Sequence, residues 1–191
     1  TEKTLSVLDA DGAVTTPITD VPGVAAFGWS PDGRSLAVLK SSGPGPSAYD
    51  EFSVVAADGA GERISADGDF MSFQWSPDGS KILLAEPRPE STVPLRWWVV
   101  DAETGVRTHL ADFQPTSELG FLHVYFDQYS ASHSLWSPDG RWVVLTGRML
   151  DPQPGEADAV RGAETVWIID TEGEEAPLAI ADGYLAFWSP R

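Results

Sequence analysis

Residues 121–133, Phe121-Leu122-His123-Val124-Tyr125-Phe126-Asp127-Gln128-Tyr129-Ser130-Ala131-Ser132-His133, hold four aromatics, two of the chain's three histidines, one carboxylate and one amide. Aromatic rings beside amide and imidazole groups make good anchors for a peptide or small ligand, because the rings supply apolar area and the polar tips fix orientation. His123, Tyr125, Phe126, Asp127, Gln128, Tyr129 and His133 are therefore the candidate binding residues. The competing reading is that the same rings tuck an insertion onto its scaffold and cover a channel mouth, since a long ordered loop must bury something of its own. His123, Asp127 and His133 suit a metal by ligand type, but their spacing is not diagnostic, and neither a metal nor another cofactor is expected. Ser132 beside His133 makes no triad, and a G-x-S-x-G nucleophile elbow is absent, so no catalytic residue is assigned. With no cysteine in the chain, disulfides, thiolate chemistry and zinc–cysteine sites are excluded. Carboxylate pairs brought together by the fold remain the one hydrolytic route open to it.

What positions these residues is a phrase said three times in full and once cut short: Trp29-Ser30-Pro31-Asp32-Gly33, Trp75-Ser76-Pro77-Asp78-Gly79, Trp136-Ser137-Pro138-Asp139-Gly140 and Trp188-Ser189-Pro190. Its tryptophans lie 46, 61 and 52 residues apart, a period expected of a repeat whose unit is a four-stranded propeller blade. Proline presets φ, aspartate bonds neighbouring amides, and glycine takes the left-handed conformation, so the phrase reads as a tight hairpin turn. Apolar segments precede it, and Leu36-Ala37-Val38-Leu39, Ile82-Leu83-Leu84-Ala85 and Trp142-Val143-Val144-Leu145 follow the full copies, giving strand, turn, strand. Trp29, Trp75, Trp136 and Trp188 are expected in the blade cores, and Asp32, Asp78 and Asp139 on turn amides next to Gly33, Gly79 and Gly140.

The fold class is therefore all-β, a β-propeller of four-stranded antiparallel blades. One domain is expected, with a partial blade at 1–23, whole blades at 24–70, 71–131 and 132–183, and a partial blade at 184–191. The second blade carries the insertion 111–131. No segment sustains a 3.6-residue period, so helix should be scarce. In an up-and-down blade the first and third turns share one face, while the second loop and the link to the next blade share the other. Here the first and third turns are short, and the long segments 41–49, 87–94, 111–131 and 148–163 emerge together. That decorated face, with Tyr49, Pro94, Tyr125 and Arg148 on one side, is the expected binding surface.

The W-S-P-D-G turn, the apolar strand after it and the aliphatic strand ending in Asp before an acidic glycine turn resemble the WD-repeat-like propeller units of the TolB family. They are similar, too, to the propellers attached to prolyl oligopeptidase-type peptidases. The resemblance covers nearly the whole chain and implies a non-catalytic module that binds a protein or peptide, placed in the periplasm or otherwise outside the cytoplasm. The alternative it leaves open is a propeller hydrolase, or the gating propeller of a peptidase whose catalytic domain lies elsewhere. A third is a purely structural scaffold.

Twelve basic against 29 acidic residues give a formal charge of −17, which repels phosphate backbones, so nucleic acid is not an expected partner. No apolar run approaches the roughly 20 residues that a bilayer span requires. The first residues read as the third and fourth strands of a blade and the last as a first strand, with no second strand between them. The expectation is the C-terminal part of a larger propeller whose ends, including Leu5, Val7, Leu185 and Phe187, expose apolar surface. It should associate with the remaining portion or with a second copy of itself.

Overall fold

Ser30, Ser76 and Ser137, all buried, do the same work in three places. Each donates its N–H to, and through its hydroxyl takes the N–H of, the residue five positions on (Ser35, Lys81 and Trp142), at 2.8–3.0 Å. Each hydroxyl also donates to the motif aspartate, Asp32, Asp78 or Asp139. Those aspartates in turn accept the N–H of Arg34, Ser80 and Arg141 at 3.0–3.1 Å. Gly33, Gly79 and Gly140 close the turns at φ of 70°, 75° and 70°, where a side chain would be strained. The bonds from Ser30 and Ser137 hold Asp32 and Asp139 below the usual carboxylate range. Asp78→Ala takes the acceptor from three donors at once, the Ser76 hydroxyl and the Ser80 N–H and hydroxyl, and is expected to cost about 1 to 2 kcal/mol, read as a lower urea midpoint at unchanged slope.

These turns organise a computed structural model that describes residues 3–12, 15–43, 49–88, 91–150 and 164–189. A hairpin of β1 (Lys3–Leu8) and β2 (Thr15–Val21) is followed by a four-stranded antiparallel sheet, β3 (Val24–Trp29), β4 (Ser35–Ser41), β5 (Tyr49–Ala56) and β6 (Glu62–Phe70). The second blade is β7 (Ser72–Trp75), β8 (Lys81–Arg88), β9 (Ser91–Asp101) and β10 (Arg107–Pro115). Two short helices, α1 (Ser117–Val124) and α2 (Phe126–Tyr129), precede the third blade. Its strands are a bridge at Trp136, β11 (Trp142–Met149), β12 (Thr165–Asp170) and β13 (Leu178–Asp182). The architecture is a partial all-β propeller, with little helix. In every whole blade the third turn is tied to the first by one bond of 2.9–3.0 Å, from the N–H of Ala57, Ala102 or Thr171 to the carbonyl of Arg34, Ser80 or Arg141.

Blades stack through their apolar faces. Phe52, Phe70, Phe73 and Leu84 fill the space between the first and second, and Leu83, Trp97, Phe113 and Trp136 that between the second and third. All of β4 is buried because a blade face lies on each side of it. A further bond recurs between blades: the indole N–H of Trp75 donates to Gly28 C=O, and that of Trp136 to Gln74 C=O, both at 3.1 Å. Trp75 and Trp136 thus each reach the carbonyl just before the motif tryptophan of the preceding blade, whereas Trp188 Nε1 is buried with no hydrogen-bond partner among the described residues.

Several expectations are corrected. Only Trp136 among the four motif tryptophans is fully buried; Trp75 and Trp188 are half-buried and Trp29 is 46% exposed, since no described residue covers the inner half of the face it lies on. Leu5 and Val7 are not open, because the β1–β2 hairpin lays them on Leu36, Val38 and Val55. Of the segment 87–94, the described residues belong to strands rather than to a loop: Pro87 pairs with Leu95 in the ladder and Pro94 sits where the β8–β9 register shifts, a bulge that tolerates proline. The insertion begins later than residue 111, because β10 runs on to Pro115 and crosses onto β11 through Phe113–Met149, Gln114–Arg148 and Pro115–Gly147. Glycine at 147 permits this crossing: a Cβ there would lie 2.1 Å from Gln114 C=O. Tyr184 to Trp188 is not a strand but a segment joined to Ser134 by a single bridge. Most of the 41–49 and 148–163 loops, and Pro190, lie outside the described residues.

Candidate functional site

Pro115 ends the crossing strand, and Thr116 starts α1 by accepting Leu119 N–H on its hydroxyl at 3.3 Å. Glu118 in the first turn suits the helix dipole. Leu119 and His123, four apart, face inward and are buried, as is Phe126 at the start of α2. Phe126 meets Phe73 edge-on at 5.0 Å, extending the Phe70–Phe52–Phe73 chain of rings from the first two blades into the insertion.

His123 Nδ1 lies 3.0 Å from Ser72 Oγ, and the ring stands edge-on to Trp97 at 4.8 Å. Its Nε2 is buried without a hydrogen-bond partner. Burial pushes the imidazole down to about 4, so it is neutral near pH 7. Beside it is a small cavity of about 30 Å³ whose lining includes Ser72, Trp97, Leu122, His123, Phe126 and His133. Such a volume suits ordered water rather than a ligand.

The opposite side of the insertion is open. Phe121, Val124 and Tyr125 are 56%, 49% and 41% exposed, and the rings of Phe121 and Tyr125 are 4.8 Å apart. Asp127 and Gln128 are exposed beyond them. Tyr129 and His133 meet edge-on at 5.5 Å, and His133 meets the exposed Phe187 at 4.6 Å, which joins the insertion to the C-terminal segment. Thr116 Oγ1 donates to Tyr184 C=O at the other end of that segment.

The seven candidate residues are thus divided rather than gathered. His123 and Phe126 point into the blades, Tyr125, Asp127 and Gln128 point out, and Tyr129 and His133 lie between. That separation removes His123, Asp127 and His133 as a joint ligand set, and among the described residues no group of three or more His, Cys, Asp or Glu is placed to hold a metal. Ser132 Oγ bonds His133 Nδ1 at 2.8 Å, but among the described residues no carboxylate takes the other ring nitrogen. The decorated-face picture is corrected as well, because the insertion does not stay at the long-loop end. Gln74 donates to the carbonyls of Ser130 and His133 and accepts from Leu135 N–H, so the segment runs down the inner strand β7. Ser130 and Ala131 finally line a cleft with Pro31, Pro77, Pro138 and Trp188, at the W-S-P-D-G turns.

A polar cluster gave no sign in the sequence. Asp112, buried, takes Arg96 at 3.2 Å, His109 at 3.1 Å and Arg88 at 3.5 Å. Burial alone would raise its pKa, but the His109 and Arg96 hydrogen bonds and the two arginine charges bring it below the ordinary value. Asp112 and Arg96 are directly paired across β9 and β10, a juxtaposition visible only once the register is known. Asp170 is satisfied in the same manner by Arg141 and by the backbone N–H groups of Glu172, Glu174 and Glu175. Both carboxylates are held by donors from nearby strands and turns of their own blade, which is a structural arrangement.

No protein-family model matches the chain. A curated relative, one of the subunits of eukaryotic translation initiation factor 3 in Mycosarcoma maydis, is 22% identical over 180 residues, covering 88% of this chain and 23% of that protein. Among solved structures, an oligogalacturonate lyase in complex with manganese superimposes with a TM-score of 0.57 at 16% identity, over 94% of this chain and 42% of the other. The uncharacterised lmo1340 of Listeria monocytogenes EGD-e gives 0.55 at 14%, over 95% and 47%. The C-terminal WD40 domain of Sif2 gives 0.51 at 14%, over 96% and 43%. The chain therefore spans about a quarter of the curated relative and less than half of each of these structures. At these identities the likeness is one of fold, and the fold is that of propeller and WD-repeat-like domains.

Proposed function

We propose that this chain is a non-catalytic, TolB-like propeller module that takes a protein or peptide partner on the outer side of its helical insertion, outside the cytoplasm. One observation carries the reading: α1 is apolar on two sides. Leu119 and His123 anchor it to the blades, while Phe121, Val124 and Tyr125 form an i, i+3, i+4 row in solvent. A row of that kind, set on buried anchors, has the makings of a partner's contact surface. Tyr129 and Phe187 extend it, and Glu118, Asp127 and Gln128 rim it with polar and acidic groups that favour a basic partner edge. The TolB-like family and the extracytoplasmic placement rest on the sequence resemblance.

The test uses a photo-cross-linking amino acid at position 121 or 125, with the exposed Val106 in the β9–β10 turn as control. Adducts at 121 and 125 but not at 106 are expected. Equal labelling at all three would refute the assignment. The double substitution of Phe121 and Tyr125 by Ala is expected to abolish those contacts with less than about 1 kcal/mol of stability lost, since both rings already face water.

A further inference from the structure

Residues 117–130 hold to the blades by few side chains. Leu119, His123 and Phe126 are the buried residues of that stretch, four and three positions apart, and His123 is the polar one among them. It bonds Ser72 Oγ of β7 through Nδ1, stands edge-on to Trp97 of β9 and lines the small cavity, while its Nε2 is buried without a partner among the described residues. Gln74 adds a further tie from β7, its amide donating to Ser130 C=O at 2.9 Å. Leu119 and Phe126 are all that this stretch lends to the two large clusters of buried apolar residues, so the blades keep their cores without it.

A second proton on the imidazole has no place in this contact. Both ring nitrogens would then be donors, and the charge would meet none of opposite sign. β7 contains no charged residue. Those of β8 and β9 are engaged elsewhere: Lys81 with Glu172, Glu86 with Arg107, Arg88 and Arg96 with Asp112, and Asp101 with amides of its own turn. Tyr129 and His133 are the other titratable groups in the lining, and a charge on His133 would add repulsion rather than compensate. Glu118 and Asp127, the carboxylates of the two helices, are exposed. A buried cation with no partner is less stable than one in water, and the ring cannot reach water without moving the helix that carries it. We propose that His123 is a latch: when its ring takes up a proton, residues 117–130 come off β7 while the blades stay folded, and the row Phe121, Val124 and Tyr125 loses its fixed display. Control of partner binding by this latch rests on the docking row proposed above; the release itself does not.

The ring titrates near 4 when latched and at its ordinary 6.5 when released, so the ratio of released to latched chain rises about 20-fold from pH 7 to pH 5 and about 100-fold by pH 4. Native-state hydrogen exchange on the whole chain reads that ratio, each rate being corrected for the intrinsic effect of pH. Protection of the amides of residues 122 and 123 should fall by those factors. Low urea should leave these two amides unchanged, while the β8 amides exchange faster as urea is added, because a local release exposes little surface. His123→Asn, which can still bond Ser72 but cannot take up the proton, should lose the pH response. If that variant is already released at pH 7, Ser72→Ala carries the test: protection of the two amides several-fold lower at pH 7, with β8 unchanged, is expected. The same urea slope at residues 122 and 123 as in β8, a pH response that survives in His123→Asn, or a Ser72→Ala chain protected like the parent would each overturn the latch. These readings need no partner, so a failure of cross-linking at 121 and 125 would count against the docking row alone.

Discussion

Trp136→Ala is expected to lower the free energy of unfolding by about 3 to 5 kcal/mol, and Trp29→Ala, the same change at the equivalent place in the repeat, by less than half of that. Trp136 is 1% exposed, packs among Leu83, Trp97 and Phe113, and satisfies Gln74 C=O through its indole N–H. Its removal leaves both a cavity and a carbonyl short of one bond. Trp29 is nearly half in water and, among the described residues, has neither comparable neighbours nor an acceptor for its indole N–H. Urea unfolding would show two separated midpoints with a common slope. Equal losses would mean that the motif tryptophan stabilises its own turn rather than the junction with the preceding blade.

Acid should weaken the fold in two stages, and the first belongs to one residue. His123 titrates near 4 in the folded chain against an ordinary value of 6.5, because burial disfavours the imidazolium. Between those two values the unfolded chain binds a proton that the folded chain refuses. Its contribution is therefore whole above about pH 6.5 and is lost as pH falls toward 4, amounting to about 3 kcal/mol at the bottom of that window. Below it, aspartates held under their ordinary pKa by hydrogen bonds, such as Asp101 and Asp139, protonate and remove a further share. His123→Leu should flatten the melting temperature between pH 6.5 and 4 while leaving the lower stage in place. A variant that kept the full slope there would show that another group is responsible.

The parts of the fold legible in the sequence are those that local chemistry decides. Serine, aspartate and glycine at fixed offsets dictate the hairpin and its bonds, and the aliphatic runs after them can only be buried strands. The remainder depends on neighbours in space. Nothing in Trp29 distinguishes it from Trp136 until the adjoining face is seen. The α1 helix has apolar residues on every side and Gly120 within it, so it shows no 3.6-residue period. Its one local signal is Thr116 capping Leu119 directly after a proline. The binding candidates were legible as residue types, but the division into His123 and Phe126 inside and Tyr125, Asp127 and Gln128 outside follows from the helical turn and from the apolar inner strands on which it lies.

The claim at the centre of this account is that the insertion is a fixed part of the propeller, held to β7 through Ser72, Phe73 and Gln74, so that its outer row is displayed ready-made. Amide hydrogen exchange on the free chain tests that directly. Protection of the Leu122, His123 and Ser130 amides comparable to that of the β7–β8 ladder is predicted, with a joint loss when pH falls below the range in which His123 stays neutral. Exchange of residues 117–130 at unprotected rates while β7–β10 stays closed would contradict it.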